Sequence, residues 1–187
     1  MKNIRVKNLL IVLTVALLLE FGVFNFDFIS AKVNPNKKYN LTYTMEKMQA
    51  VNWTKQDNTL VSRFDPNLII PSINTMVNKV NITVDADKSI SNVVLFYTNN
   101  KHINFSAESM ITDNETLVTT TTIDLNQQVK DLRIDLGDNP GLVLKKITVI
   151  INPIKFNFSI SRIIAILLMY LATIGLSALQ KGPDYKL

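Results

Sequence analysis

Two apolar runs bracket the chain and constrain its fold more than any other feature. The first extends from Leu9 to Phe24 and the second from Ile163 to Leu179, while the residues between them are polar and strand-like. A membrane-spanning helix needs about 20 mostly apolar residues, and both runs reach that length once their flanks are included. The sequence therefore predicts two transmembrane helices, 9–28 and 160–179, with a folded insert between them.

The basic residues at the two ends predict the membrane topology. Three of them lie in segment 1–8, before the first run, and two lie in the tail 180–187. The positive-inside rule places both segments in the cytoplasm and the insert outside, in a bacterial cell membrane. A cleaved signal peptide is the alternative for the first run, although no clean small-x-small site follows it.

The chain has no cysteine and one histidine, His102. The lack of cysteine excludes disulfides, thiolate catalysis and zinc–thiolate sites, and a single histidine excludes a His-rich metal cluster. No acid partner is evident for His102, and no phosphate-binding glycine loop is present. The sequence therefore predicts no bound metal and no cofactor, and it favours a non-catalytic role for this chain alone.

The net charge of +5 raises the question of a polyanionic partner. Lysine and arginine are scattered along the insert, however, and Lys37-Lys38 and Lys145-Lys146 are the only adjacent basic pairs. This distribution predicts a solvated surface and no nucleic-acid partner, with an anionic lipid or glycan as the remaining alternative.

The insert, residues 34–157, has the pattern of an all-β domain. Val80–Val84 alternates apolar and polar residues, and Val93–Tyr97 is a continuous apolar run typical of a buried strand. Gly137–Gly141 is a strong turn signal, whereas Met45–Trp53 is either a short helix or an irregular segment. Further strands are predicted at Tyr39–Thr44, Leu117–Ile123, Leu132–Leu136 and Val143–Ile151. Short strands at this spacing predict a β-sandwich or jelly roll.

Two carboxylates near the outer end of the first run are candidate catalytic residues. Glu20 interrupts the apolar run, and an ionisable group in a span usually faces a partner, a cavity or the membrane interface. Asp27 follows at i+7 and would lie on nearly the same face of a continuous helix. The alternative is that Asp27 lies among lipid headgroups and Glu20 snorkels or bonds another helix.

Aromatic side chains of the insert are candidates for stacking on sugar rings, and Trp53 is the preferred one. The set is Trp53, Phe64, Phe96, Tyr97 and Phe105. Core packing is the alternative for each of them. Two pairs of aspartates, Asp135 with Asp138 and Asp85 with Asp87, are considered as calcium ligands. Each pair provides too few oxygen ligands for calcium, so these aspartates are interpreted as turn residues.

Both ends of the insert resemble a known membrane-protein family. Residues 19–26 read Leu-Glu-Phe-Gly-Val-Phe-Asn-Phe, and the return segment Ile150–Ser159 is followed by Arg162. These segments, with Leu136–Ile151, are similar to the N-terminal region of bacterial polytopic GT-C-like membrane glycosyltransferases.

In that family a β-sandwich lies between the first two spans. The resemblance implies a role in envelope polysaccharide, with a lipid-linked sugar as substrate of the full enzyme. It also implies that a catalytic acid on the first outer loop corresponds to Glu20 or Asp27. The family's many further spans are absent from this sequence, so the chain alone is not expected to be an active transferase.

Three hypotheses for function follow from these observations. The first is a non-catalytic, two-span envelope protein whose β-sandwich binds glycan or a partner enzyme of cell-surface polysaccharide synthesis. The second is a fragment or subunit of a lipid-linked-sugar glycosyltransferase with Glu20 at the active site. The third is a purely structural membrane scaffold. The expected partners are membrane lipid and either a glycan or a polytopic membrane enzyme.

Overall fold

A computed structural model describes residues 2–33, 38–113, 116–137 and 140–180. The chain forms two compact units. The helical unit combines Met1–Asn34 with Lys155–Leu187, and the β unit is Pro35–Ile154. Both ends of the chain thus belong to one unit, and the segment between them forms the other.

The described part of the helical unit contains three helices. α1 is Lys2–Gly22, α2 is Phe26–Val33 and α3 is Ile160–Gln180. α1 packs against α3. Residues 9–28, predicted as one span, are divided between α1 and α2, and a bend of 62° separates these two helices.

Local hydrogen bonds explain why α1 ends where it does. The Nδ2 of Asn25 donates to the carbonyl oxygen of Glu20 at 2.8 Å, an acceptor that a continuing helix would offer to the amide of Phe24. That amide donates instead to the carbonyl of Leu19, at 3.0 Å. Gly22 further weakens the helix at this point, because glycine loses more backbone entropy than other residues. The sequence Gly-x-x-Asn therefore stops α1.

One helix of the described chain is long and apolar enough to cross a membrane by itself. Its window Ile160–Ser177 has a mean hydropathy of 1.9. α1 and α2 meet the same criterion together, as a bent pair. Apolar side chains are widely exposed on both long helices, with Leu18 at 66% and Met169 at 63%. Exposed apolar surface of this kind is typical of a contact with lipid or with another protein.

The β unit contains nine strands within the described residues. They are β1 Leu41–Thr44, β2 Gln49–Gln56, β3 Thr59–Ile70, β4 Thr75–Ala86, β5 Val93–Tyr97, β6 Met110–Asp113, β7 Thr120–Val129, β8 Leu132–Asp135 and β9 Val143–Ile151. The predicted strands Val93–Tyr97 and Val143–Ile151 are confirmed residue for residue. The undecided segment Met45–Trp53 is a 3₁₀ turn at Met45–Lys47 that leads into β2.

All the strand pairs are antiparallel, and β3 connects two halves of the sheet. Near its end, Asn67–Ile70 pairs with β8. Near its start, Leu60 and Val61 pair with Leu144 and Val143 of β9. The β8 half comprises β2, β3, β8, β5 and β6, and the β9 half comprises β1, β9, β4 and β7. The long strand therefore passes from one half to the other.

The two halves enclose one hydrophobic core. Fully buried side chains of the β8 half, and others of the β9 half, belong to the same cluster: Leu68, Leu95 and Ile134 with Val80, Ile82 and Val149. Burying one such side chain stabilises the fold by about 1.5–3 kcal/mol. A single core shared by two halves of a sheet is the arrangement of a β-sandwich. The prediction of an all-β, sandwich-like insert is confirmed.

Removing a core side chain should destabilise the β unit strongly. Ile82→Ala leaves a cavity at a fully buried position, so we expect a loss of about 2–5 kcal/mol in the free energy of unfolding. The measurement is urea denaturation of the full chain in detergent, followed by the fluorescence of its single tryptophan, Trp53. Ile103→Ala is the matched control, because Ile103 is 81% exposed, and it should change stability by less than about 0.5 kcal/mol. Equal effects of the two variants would contradict the assigned core.

Candidate functional site

Glu20 lies in the last turn of α1, and its carboxylate accepts hydrogen bonds from residues at the start of α3 and just before it. The side chain is 1% exposed. Arg162 donates from Nε to Oε2 at 2.8 Å and from Nη2 to Oε1 at 2.5 Å. The amide of Ser159 also donates to Oε1, at 2.7 Å. A two-point arginine–carboxylate pair with a third donor has both strength and defined geometry, so Glu20 joins α1 to α3.

Two asparagines complete this junction. The amide of Asn157 donates to Oδ1 of Asn25 at 2.7 Å, and Nδ2 of Asn25 approaches the carbonyl of Asn157 at 3.3 Å. The same carbonyl accepts from Nη2 of Arg162. The backbone of Asn157, just before α3, is thereby bonded both by the side chain of Asn25, which follows α1, and by the side chain of Arg162 in α3.

Phenylalanines surround this junction. Phe21 stacks on Phe156 with ring centroids 5.9 Å apart, and Phe28 packs on Phe156 at 5.3 Å. The guanidinium of Arg162 lies 5.0 Å from the ring centroid of Phe24. The guanidinium therefore lies over a π face, an arrangement that favours a cation.

Asp27 does not share the position of Glu20. The i+7 relation assumed one continuous helix, and the break at 23–25 with its 62° bend removes it. Asp27 is exposed in the first turn of α2, where a negative charge interacts favourably with the helix dipole. A catalytic role for either carboxylate stays a prediction. The contacts of Glu20 with Arg162 and Ser159 give it a structural role in joining α1 to α3.

Loss of the Glu20 charge should weaken the packing of α1 on α3. In Glu20→Gln the guanidinium of Arg162 loses its counter-charge, so we expect a clear fall in the thermal midpoint of the full chain in detergent, measured by circular dichroism at 222 nm. Asp27→Asn makes the same change at an exposed site and should leave that midpoint unchanged. In a double-mutant cycle, Arg162→Gln should lower the thermal midpoint less in the Glu20→Gln background than in the wild-type chain. Additive losses would show that the pair does not couple the helices.

The β unit has a cleft of about 750 Å³ beside Trp53. It is formed by the 3₁₀ turn at Met45–Lys47, by β2, by the start of β3 and by residues 145–147 of β9. Its apolar lining consists of Met45, Met48, Ala50, Trp53, Leu60 and Ile147. Its polar lining includes Glu46, Asn58, Lys55, Lys145 and Lys146. The cleft thus offers one aromatic ring, aliphatic side chains, and hydrogen-bonding and charged groups.

An irregularity of β2 and β3 positions Trp53. Val51 pairs with Asn67 and Trp53 pairs with Ser62, so residues 63–66 of β3 lie opposite the single residue Asn52. Asn52 has φ = 61°, a left-handed conformation that asparagine tolerates better than most residues. Its Nδ2 donates to the carbonyl of Asp65 at 3.0 Å. The bulge re-aims the side chain that follows it.

The indole of Trp53 is fixed by a hydrogen bond and by packing against the core. Its Nε1 donates to the carbonyl of Asn67 at 3.1 Å, and the side chain is half-buried against the hydrophobic core. Since the N–H already has a partner, the ring offers a ligand its face. A ring held in one orientation loses little entropy on binding.

A second irregularity places two lysines in the cleft. Asp85 of β4 pairs with Lys146, and Ala86 pairs with Leu144, which leaves Lys145 without a partner on β4. Neighbouring residues of a regular strand point to opposite faces. Here both Lys145 and Lys146 are exposed and both line the cleft.

The other aromatic candidates do not join Trp53. Phe64 is 79% exposed in the excursion 63–66, and Phe105 is half-buried. Phe96 lies under the guanidinium of Arg133, at 5.1 Å, while Tyr97 is buried and contacts His102 edge-on. Of the five predicted aromatics, Trp53 alone lines this cleft.

Asp135 and Asp87 have protein partners, and the interpretation as turn residues is wrong for Asp85 and Asp135, which lie in β4 and β8. Arg133 donates twice to the carboxylate of Asp135, both at 2.7 Å, and this hydrogen bonding raises the pKa of the Arg133 guanidinium. Asp87 accepts from the amide of Val143 at 2.8 Å, Asp85 is exposed, and Asp138 lies outside the described residues. Across the described ranges, no three His, Cys, Asp or Glu side chains are grouped to hold a metal ion.

No family model matches the chain, and no curated protein matches it. A low-affinity xylan-binding module, CBM86, from Roseburia intestinalis has a TM-score of 0.42 at 14% identity, covering 60% of this chain and 95% of that one. An exo-β-1,3-galactanase from Phanerochaete chrysosporium (TM-score 0.36, 14% identity) is matched over 60% of this chain and 29% of its own.

A GH26-CBM35 β-(1,4)-mannanase from Podospora anserina (TM-score 0.34, 13% identity) is matched over 64% of this chain and 29% of its own. This chain therefore spans under a third of each of the two enzymes. Because all three TM-scores lie below 0.5, these likenesses carry no conclusion about what the chain does.

Proposed function

We propose that this chain is a membrane-anchored, non-catalytic glycan-binding protein whose β unit takes sugar residues in the cleft beside Trp53. The observation that carries the proposal is the half-buried indole, fixed through Nε1, in a cleft whose lining also contains both aliphatic side chains and hydrogen-bonding and charged groups. An apolar ring face with hydrogen-bonding groups around it matches a sugar ring, which has apolar C–H faces and a polar rim. A volume of about 750 Å³ is within the range of small-molecule sites.

The lining of the cleft favours binding over hydrolysis. Glycoside hydrolysis commonly needs two carboxylates on either side of the scissile bond. Glu46 is the one carboxylate among the described residues of the cleft. In this proposal, the sugar stacks on Trp53 while Glu46 and Asn58 bond its hydroxyl groups.

The helical unit would hold the β unit at the outer surface of a bacterial membrane. The exposed apolar faces of α1 and α3 support insertion in lipid. The basic residues of 1–8 and 180–187 support cytoplasmic termini. A segment as long as 34–157 translocates largely regardless of its own charges, so the charges within it are compatible with this topology.

The resemblance to polytopic glycosyltransferases extends the proposal to a partner. A protein of this kind would work beside an enzyme of cell-surface polysaccharide synthesis and hold the growing glycan. A catalytic role for Glu20 in such an assembly is the second candidate. It would require Arg162 to leave the carboxylate, because both carboxylate oxygens accept its hydrogen bonds.

Removing the indole should remove glycan binding. For Trp53→Ala we expect at least about a tenfold loss of affinity, as for other central aromatic anchors of binding sites. The measurement is affinity electrophoresis and calorimetry of the full chain in detergent against polysaccharides extracted from its host's envelope. Phe64→Ala removes an exposed aromatic outside the cleft and is the matched control. Unchanged binding by a folded Trp53→Ala variant would overturn the assignment of the cleft.

The topology has a direct test, because the chain has no cysteine. Single-cysteine variants report the side of the membrane that each position faces. Val118→Cys, at a residue that is 72% exposed in the β unit, should react with an impermeant maleimide on intact cells. Asn3→Cys and Lys186→Cys should react only after the membrane is permeabilised. Labelling of Asn3→Cys on intact cells would contradict the proposed orientation.

A further inference from the structure

The cleft beside Trp53 carries an excess of positive charge. Lys55, Lys145 and Lys146 belong to its lining, and Glu46 is the one acidic residue among the described residues of that lining. Their positions are built by the fold, since the bulge at Lys145 turns two consecutive lysines of β9 to the same cleft. A regular strand would have pointed one of them away.

The cleft lysines take no part in the salt bridges of the described residues, although Asp85 is the cross-strand neighbour of Lys146. In the part of the chain that the structure describes, Lys79 pairs with Asp124 at 3.4 Å and Arg133 pairs with Asp135 at 2.7 Å. None of the three cleft lysines forms an ion pair with a described residue. Like charges gathered in a concave site attract anions more strongly than the same charges dispersed on a convex surface.

We infer that the ligand of this cleft is an anionic glycan, a chain of sugar rings with carboxylate groups at regular intervals. This inference rests on the proposed function and adds the chemical class of the glycan. The indole would stack on a ring while the ammonium groups of Lys145 and Lys146 meet its carboxylate. A neutral glycan would use the ring alone and leave the lysines solvated.

The test compares acidic glycans with their neutral forms. The probes are polygalacturonate and hyaluronate, each with its methyl ester, which keeps the sugar rings and removes the charge. Binding to the full chain in neutral detergent is measured by calorimetry at low salt and at 0.5 M salt. We expect the acid form of at least one pair to bind about tenfold or more tightly than its ester, with the difference largely lost at high salt.

The lysines are tested with charge-matched variants. The double variant Lys145→Gln with Lys146→Gln should lose the preference for the acid form. The control variant, Lys79→Gln with Lys101→Gln, removes the same amount of charge outside the cleft and should retain the preference for the acid form. Thermal midpoints verify that both variants are folded, which is expected because all four side chains are exposed.

Different outcomes separate this inference from the proposed function. Equal binding of acid and ester, lost in Trp53→Ala, would overturn the inference and leave glycan binding in place. An equal loss of preference in both lysine variants would overturn the role of the cleft lysines. Tight binding of inorganic polyphosphate, independent of Trp53, would show a general anion patch and overturn the inference. No binding of any of the four glycans would count against the inference and the proposed function together.

Discussion

The structure of the β unit depends on the pairing of β3 with two different strands. Its first residues pair with β9 and its last residues pair with β8, so one strand belongs to both halves of the sheet. Each half has one apolar face that cannot be left in water, and the shared strand allows the two faces to enclose one core. Side chains such as Leu68 and Ile82 are fully buried for this reason. The cost of ordering a 12-residue strand is offset by the hydrophobic surface that its two pairings bury.

The same strand also creates the candidate site, through an irregularity in its middle. Residues 63–66 make an excursion opposite Asn52, and this excursion separates the pairs Val51–Asn67 and Trp53–Ser62. Pro66 lacks a backbone N–H and cannot donate to the ladder, so a regular strand would be disfavoured here in any case. The carbonyl of Asn67 then becomes available to Nε1 of Trp53. Strand irregularities beside a site are a common way to orient a side chain. The bulge at Lys145 is a second such irregularity, in β9, and it also borders the cleft.

The helical unit solves a different problem, which is how to retain charges at the ends of apolar helices. A carboxylate left unpaired in apolar surroundings costs several kcal/mol. Glu20 avoids this cost because Arg162 and the amide of Ser159 satisfy both of its oxygens. Both residues were visible in the sequence, one near the outer end of each apolar run. A bond from Glu20 to another helix was one of the alternatives, but its partner was not identified because the two residues are 142 positions apart. Only the return of the chain to the start of α3 brings them together.

The sequence by itself determined the all-β class of the insert and the helices that flank it, because hydrophobic periodicity acts over a few residues. The apolar runs predict helices, the alternation at Val80–Val84 predicts a strand, and Gly137–Gly141 predicts a turn. Each of these signals depends only on residues that are close together in the sequence. The strand β3 was not predicted, since Asp65 and Pro66 interrupt its pattern. It forms a local hairpin with β2, but its pairings with β8 and β9 join residues more than 60 positions apart, and only the tertiary structure decided those pairings.

The site divides in the same way. Residue type alone selected Trp53 as the candidate glycan-stacking aromatic, and the adjacent pair Lys145-Lys146 was visible in the sequence but was discounted as part of a scattered charge. The tertiary structure decided that these residues share one cleft, because β2 and β9 both lie beside β3. Local sequence sets which groups a strand carries, and strand pairing across the sheet sets which of them face the same ligand.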